Sequence, residues 1–178
     1  EPEDAGTGVS QVAPGGKGTD PREEEALDCL TSEKPDRRAR GLALLAELRE
    51  PDLFEWCMMH LEDKSVTVRV AALETMRVCE DVEVDLIEPL ASSEEKRIRA
   101  AAVAALTRHA GTDAPVWFRN GLTDPSAHVR VHTARHLEEL DFVTHRDIFE
   151  LALYDANPKV AQIAEKLTAG KRFAREMW

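Results

Sequence analysis

The stretch DKSVTVRV at 63–70 returns as DPSAHVRV at 124–131, with the same Asp, the same Val-Arg pair and the same spacing between them. Taking Val-Arg as an anchor, the chain yields Ala39-Arg40, Val68-Arg69, Ile98-Arg99, Val129-Arg130 and Val160-Ala161, separated by 29, 30, 31 and 31 residues. A period of about 30 residues marks a repeat architecture, in which each unit buries its apolar flank only against its neighbours. That restricts the fold more than any single motif does.

Two rows of side chains keep step with the anchors. Four residues after each first anchor residue stand Ala43, Ala72, Ala102, Thr133 and Ala164, small side chains where helices approach closely. Twelve residues before it stand Leu27, Trp56, Leu86, Trp117 and Ile148, apolar in every unit, which places a second, earlier helix in each. Capping chemistry agrees with a helix–turn–helix reading. Asp20-Pro21, Asp52 and Asp113 are expected to cap the first helices, with Thr144 and Asp147 resembling a capping box. Asp63, Asp124-Pro125, Asp155 and the Ser92/Glu95 pair are expected to cap the second helices. No stretch alternates in the manner of a strand.

The Asp-x4-Val-Arg-x2-Ala phrase and its period resemble the HEAT-like repeats, in particular the short repeats of the bilin-lyase type, over about residues 20–168. The resemblance implies an all-α domain, an α-solenoid of about five helix-turn-helix repeats, in which the turn Asp and the Arg six residues later join a hydrogen-bonded ladder between neighbours. Asp63, Arg69, Arg99, Asp124 and Arg130 are the ladder residues so implied, with Ser93 and Lys34 in place of the Asp in the third and first repeats and Ala161 in place of the last Arg. The domain expected is 20–170, preceded by a flexible acidic leader at 1–19, rich in Gly, Pro and small polar residues, and closed by a capping segment at 171–178 beyond a helix-terminating Gly170.

The formal net charge of -11 weighs against a general nucleic-acid binder, which must neutralise phosphates. Residues 1–30 carry -6 of it, so the remainder has room for a local basic surface. Cys29, Cys57 and Cys79 form no CxxC pair and fall among apolar residues, which fits a reducing, cytoplasmic setting. The longest apolar run, AAAVAAL at 100–106, is far short of the roughly 20 residues of a membrane span.

Chemistry is thinly written in this chain. HVRVHTARH places His128, His132 and His136 at four-residue steps. One such pair can grip a metal, but eight residues of helix span about 12 Å, too far for all three to share one ion. No third ligand of HExxH or CxxC type is present, and no GxSxG elbow or phosphate loop. The paired carboxylates Glu94-Glu95 and Glu138-Glu139 read as solvated surface. No catalytic residue, cofactor or metal is therefore expected.

Rows across the units carry more. The second helices of stacked pairs commonly line the concave side, where the position before each anchor gives Arg38, Thr67, Arg97, His128 and Lys159. Two residues after the anchor come Gly41, Val70, Ala100, Val131 and Gln162, with Arg108 and Arg135 extending the basic edge. The expectation is a monomeric, non-catalytic scaffold that binds a protein or peptide of acidic character through Arg38, Val70, Arg97, Ala100, His128, Val131, Arg135 and Lys159. An enzyme or subunit acting on a linear tetrapyrrole is the alternative that the resemblance admits, and nucleic-acid binding through the same basic row is a third.

Overall fold

The computed structural model describes residues 21–173, with the side chains of 170–173 excepted. The leader at 1–19, Asp20 and the capping segment beyond Phe173 lie outside the described residues. Within them the chain is all-helical and has no strand: α1 Pro21–Leu30, α2 Pro35–Leu48, α3 Leu53–Leu61, α4 Val66–Met76, α5 Val84–Ile87, α6 Lys96–His109, α7 Ala114–Leu122, α8 Ala127–Ala134, α9 Arg146–Leu153 and α10 Pro158–Phe173. Gly170 does not end α10, which continues three residues past it.

Local chemistry explains most of these boundaries. Pro35 occupies the first turn of α2, where a missing N–H is harmless. The same helix stops at Arg49, whose left-handed φ of 56° lets its N–H reach the Ala46 carbonyl while the Glu50 N–H reaches that of Leu45. Pro89 breaks what would be the third unit's first helix, leaving α5 one turn long and followed by a 3-10 segment, Glu88–Ser92.

Helices pack as consecutive pairs, and the second members also pack on one another in series: α2 on α4, α4 on α6, α6 on α8 and α8 on α10. Burial keeps the 30-residue step, with a corrected register. Val68, Ile98, Val129 and Val160 are buried. The small row is Gly41, Ala72, Ala102, Thr133 and Ala164, all buried, whereas Ala43 is exposed. The first helices' innermost row lies one residue from the expected one, before Leu27 in the first unit and beyond the expected residue in the other four: Ala26, Cys57, Ile87, Phe118 and Phe149 are fully buried, while Leu86 is 44% exposed. One residue turns a helix by about 100°, enough to exchange core for surface.

Two of these contacts demand glycine. A Cβ on Gly41 would meet Leu30 at 2.8 Å and the Ala26 carbonyl at 2.9 Å; one on Gly121 would stand 2.2 Å from Thr133 Oγ1 and 2.8 Å from Val103. The α1–α2 and α7–α8 crossings are that close.

The turns between paired helices carry the ladder. Arg38, Arg99 and Arg130 each present Nε and NH2 to the two carboxylate oxygens of Asp63, Asp124 and Asp155 at 2.6–3.2 Å, in the turn of the next pair. The remaining NH1 donates to two carbonyls of its own turn: Ser32 and Glu33, Ser93 and Glu94, Asp124 and Pro125. Each Asp also accepts the N–H two residues on, from Ser65, Ser126 and Asn157, at 2.7 Å.

This geometry corrects several expectations. The ladder arginine of the first unit is Arg38, not Arg40, and Ser32, not Lys34, holds the turn position there. Asp63 and Asp124 sit two residues before the N-caps Ser65 and Ser126 and shape the helix entry as Asx turns, so Pro125 precedes α8 instead of opening it. Asp52 and Asp113 are at N-cap positions but make no capping bond. Asp147 pairs with Arg119 instead of closing a box with Thr144. In α6 the cap is Glu95, which accepts the Arg97 N–H at 3.0 Å, and Ser93, not Ser92, takes the turn role. Arg69 is the odd rung. Its counterpart in the next turn is Ser93, and it makes only one long bond, 3.4 Å, to the Asp63 carbonyl.

The Arg38 guanidinium beside Asp63 holds that carboxyl below its ordinary range. Burial pushes Asp124 upward, but Arg99, the Ser126 N–H and Arg130 outweigh it and the net direction is down. The stability these pairs add is present above the unfolded pKa of about 4 and is lost as pH falls through the lower folded values.

Three outcomes follow for urea unfolding at neutral pH. Arg99→Met, which strands a largely buried Asp124 carboxylate, lowers stability by about 3 kcal/mol, and Arg69→Met by less than about 1 kcal/mol. Gly121→Ala lowers it by about 1–3 kcal/mol through overpacking against Thr133 and Val103.

Candidate interaction surface

The outward sides of the second helices bring together side chains far apart in sequence. Arg97 and Arg108 are exposed and 11 residues apart on α6, about three turns, so they share a face. His128 and Arg135 do the same around α8, and Lys159 and Lys166 on α10; all four are exposed. Among the described residues Arg97, Arg108, Arg135, Lys159 and Lys166 make no ion pair, whereas nine other arginines are engaged by carboxylates.

The corresponding positions of the preceding second helices are Asp36, Ala43 and Glu47 on α2 and Thr67 and Glu74 on α4. The face therefore runs from acidic at its N-terminal end to basic over α6, α8 and α10. Two members of the expected row leave it. Arg38 is 7% exposed and committed to Asp63, because in the true register it is a ladder residue; Asp36 takes its place. Ala100 is 1% exposed, pressed into the interior instead of flooring a groove, while Val70 and Val131 are half-buried beside it.

On this side of the molecule lies a cavity of about 540 Å³, walled by Glu74, Arg77 and Val78 from the end of α4, His132, His136 and Glu139 from α8 and the segment after it, and Arg108 from α6. Arg77 spans it. Its NH1 donates to His136 Nε2 at 3.1 Å and its NH2 pairs with Glu139, so a side chain at the end of α4 is tied to the end of α8 across the intervening helix. His136 Nδ1 lies 3.3 Å from Glu139, which fixes the neutral ring with its proton on Nδ1. Arg77 Nε is buried and finds no partner among the described residues.

His132 lies between its neighbours, stacked on His128 with ring centres 6.5 Å apart and tilted by 60° against His136 at 5.5 Å. Burial first, then the nearby His136, Arg135, His128 and Arg77, pulls its pKa down to about 4. Burial and Arg77 likewise lower His136, and burial lowers His109, which donates to the Met76 carbonyl at 2.9 Å. No three His, Cys, Asp or Glu side chains among the described residues come together in an arrangement that could hold a metal ion. No helix among them is long and apolar enough to cross a membrane.

Sequence reasoning missed Arg77, His109 and Glu139 as a group, since nothing in a 30-residue period marks a contact that skips a unit. Compared with protein-family models and with curated proteins, the chain matches no family model and no curated protein.

A histidine whose folded pKa is depressed stabilises the fold fully above its unfolded value and loses that contribution as pH falls toward the folded one. Urea midpoints are therefore expected to decline between about pH 6.5 and pH 4. His132→Gln reduces that slope, with His136 and His109 supplying the remainder.

Proposed function

We propose that the chain is a HEAT-like α-solenoid of five short repeats, similar to the bilin-lyase-type repeats, that works by binding and not by catalysis. Its partner is a protein or peptide segment of acidic character, laid across α6, α8 and α10. The solenoid reading is supported by burial rows that keep a 30–31-residue step and by ladder pairs that always join one turn to the next. The second helices pack closely on one another at every step, whereas among the first helices only α7 and α9 do so. Closer spacing on one side bends a stack toward that side, which makes the second-helix face the concave one.

The observation that carries the functional reading is the set of exposed cations, Arg97, Arg108, Arg135 and Lys159, that have no carboxylate partner among the described residues, on a molecule whose other arginines are mostly neutralised. An acidic segment would complete these charges and would be repelled from the Asp36, Glu47 and Glu74 end, which gives the complex a direction. Val70 and Val131, half-buried, supply the apolar contact below.

The test is fluorescence anisotropy with a labelled poly-glutamate peptide, measured against salt and beside a duplex DNA of similar length. The peptide is expected to bind with an affinity that falls as salt rises. Arg97→Glu, Arg135→Glu and Lys159→Glu combined should weaken it at least about tenfold, while Arg146→Glu, on the first helix α9, leaves it unchanged. Preference for DNA, or equal binding by the triple variant, overturns the proposal.

A further inference from the structure

The second-helix face is charged at both ends, and its charges keep the register of the repeats. Asp36, Thr67, Arg97, His128 and Lys159 are each the second residue of their helix, on α2, α4, α6, α8 and α10 in turn. Seven residues on, about two turns along the same side, come Ala43, Glu74, Ala104, Arg135 and Lys166. The two rows therefore put carboxylates, Asp36 and Glu74, on the first two of these helices and cations, Arg135, Lys159 and Lys166, on the last two. All five side chains are exposed, and among the described residues none of them makes an ion pair. Glu47, by contrast, is already held by Arg22.

The second helices pack in series, so α4 and α8 lie one step from α6 on opposite sides, and α2 and α10 lie two steps away. A half-turn about an axis parallel to α6 exchanges the members of each of these pairs and keeps helix starts beside helix starts. Applied to two copies laid face to face, it sets Asp36 of one against Lys159 of the other and Glu74 against Arg135, and each contact is made twice. Lys166 comes opposite the small Ala43, and Thr67 opposite His128. The charges of the face are thus opposite in sign at matching positions of the repeat, which is the condition for a surface to complement itself.

We propose that two copies of the chain pair antiparallel through this face, each laying its acidic α2–α4 end on the basic α8–α10 end of the other. The pairing rests on the acidic-partner reading above, with a second copy as the partner. Only α6 meets itself, so Arg97 and Arg108 face their own copies at the axis. Ala104, the α6 member of the second row, is fully buried, which sets α6 back from the flanking rows and keeps those like charges apart. Because the arrangement is two-fold, it closes at two chains and leaves neither charged end open to a third. Its contacts are exposed ion pairs, each of which contributes little, so the dimer is weak and dissolves as salt rises.

The test is sedimentation equilibrium of the full chain over a concentration series, at low salt and at about 1 M salt, where charges are screened within about 3 Å. At low salt the mass is expected to rise with concentration from 19.8 kDa toward twice that value and no further, and at high salt to stay at 19.8 kDa. Glu74→Arg and Arg135→Glu should each raise the dissociation constant at least about tenfold by setting like charges against one another, and the two substitutions together should restore it. Arg97→Gln removes a like-charged pair at the axis, so it tightens the dimer while weakening the poly-glutamate complex. A mass that keeps growing beyond two chains, a double variant that stays as weak as the single ones, an Arg97→Gln chain that dimerises less than wild type, or a wild-type chain that remains at 19.8 kDa at low salt would each overturn the pairing. In the last case the anisotropy of labelled poly-glutamate decides separately whether the acidic-partner reading stands.

Discussion

Three arginines, each using every arm of its guanidinium, set the spacing on which the other contacts depend. Nε and NH2 grip a carboxylate in the next turn while NH1 holds two carbonyls in its own, so one planar group fixes both the conformation of a turn and its distance from the following one. A lysine has no second edge to offer and could not do both. The carboxylate is equally committed, since one of its oxygens also accepts the N–H that starts the next helix. With turn-to-turn distance fixed in this way, the small row of Gly41, Ala72, Ala102, Thr133 and Ala164 allows each second helix to approach its own partner closely, and the core rows fall into place between them.

The ladder is interrupted once, between Arg69 and Ser93, and the surroundings of the gap are unusual. Pro89 has reduced the neighbouring first helix to a single turn and a 3-10 segment, so the packing that α3 and α7 provide to their own pairs is abbreviated there. Ala101, Ala102 and Ala105 of α6 share a core with Val68, Leu73 and Met76 of α4, and Arg77 crosses over α6 to His136 and Glu139. A missing ionic rung is thus accompanied by close alanine packing and by a longer-range tie that bypasses the weak unit.

The all-helical fold is legible in the sequence because apolar side chains recur at helical spacing, capping residues punctuate them and no stretch alternates like a strand. Register is harder. In the first unit Arg37, Arg38 and Arg40 crowd together, and only the ladder contact singles out Arg38; a step of 31 residues back from Arg69 leads to it. The innermost row of the first helices shifts by one position because Trp56, Trp117 and Ile148 are as apolar as the residues that follow them, and composition alone cannot decide between adjacent apolar side chains. Asp63 and Asp124 resemble helix caps because an N-cap and an Asx turn just ahead of the helix both require a short side chain with an acceptor oxygen. The exposed cations Arg97, His128, Arg135 and Lys159 are legible because a solvent-facing row repeats with the units. The Arg77 tie is not, because it does not follow the period.

The Arg77 tie is sensitive to protonation. One of its two bonds needs His136 Nε2 to accept a hydrogen, which an imidazolium cannot do. Proton uptake at that ring would therefore break one half of the strap over the seam that lacks a carboxylate rung and leave the Arg77–Glu139 pair to span it alone.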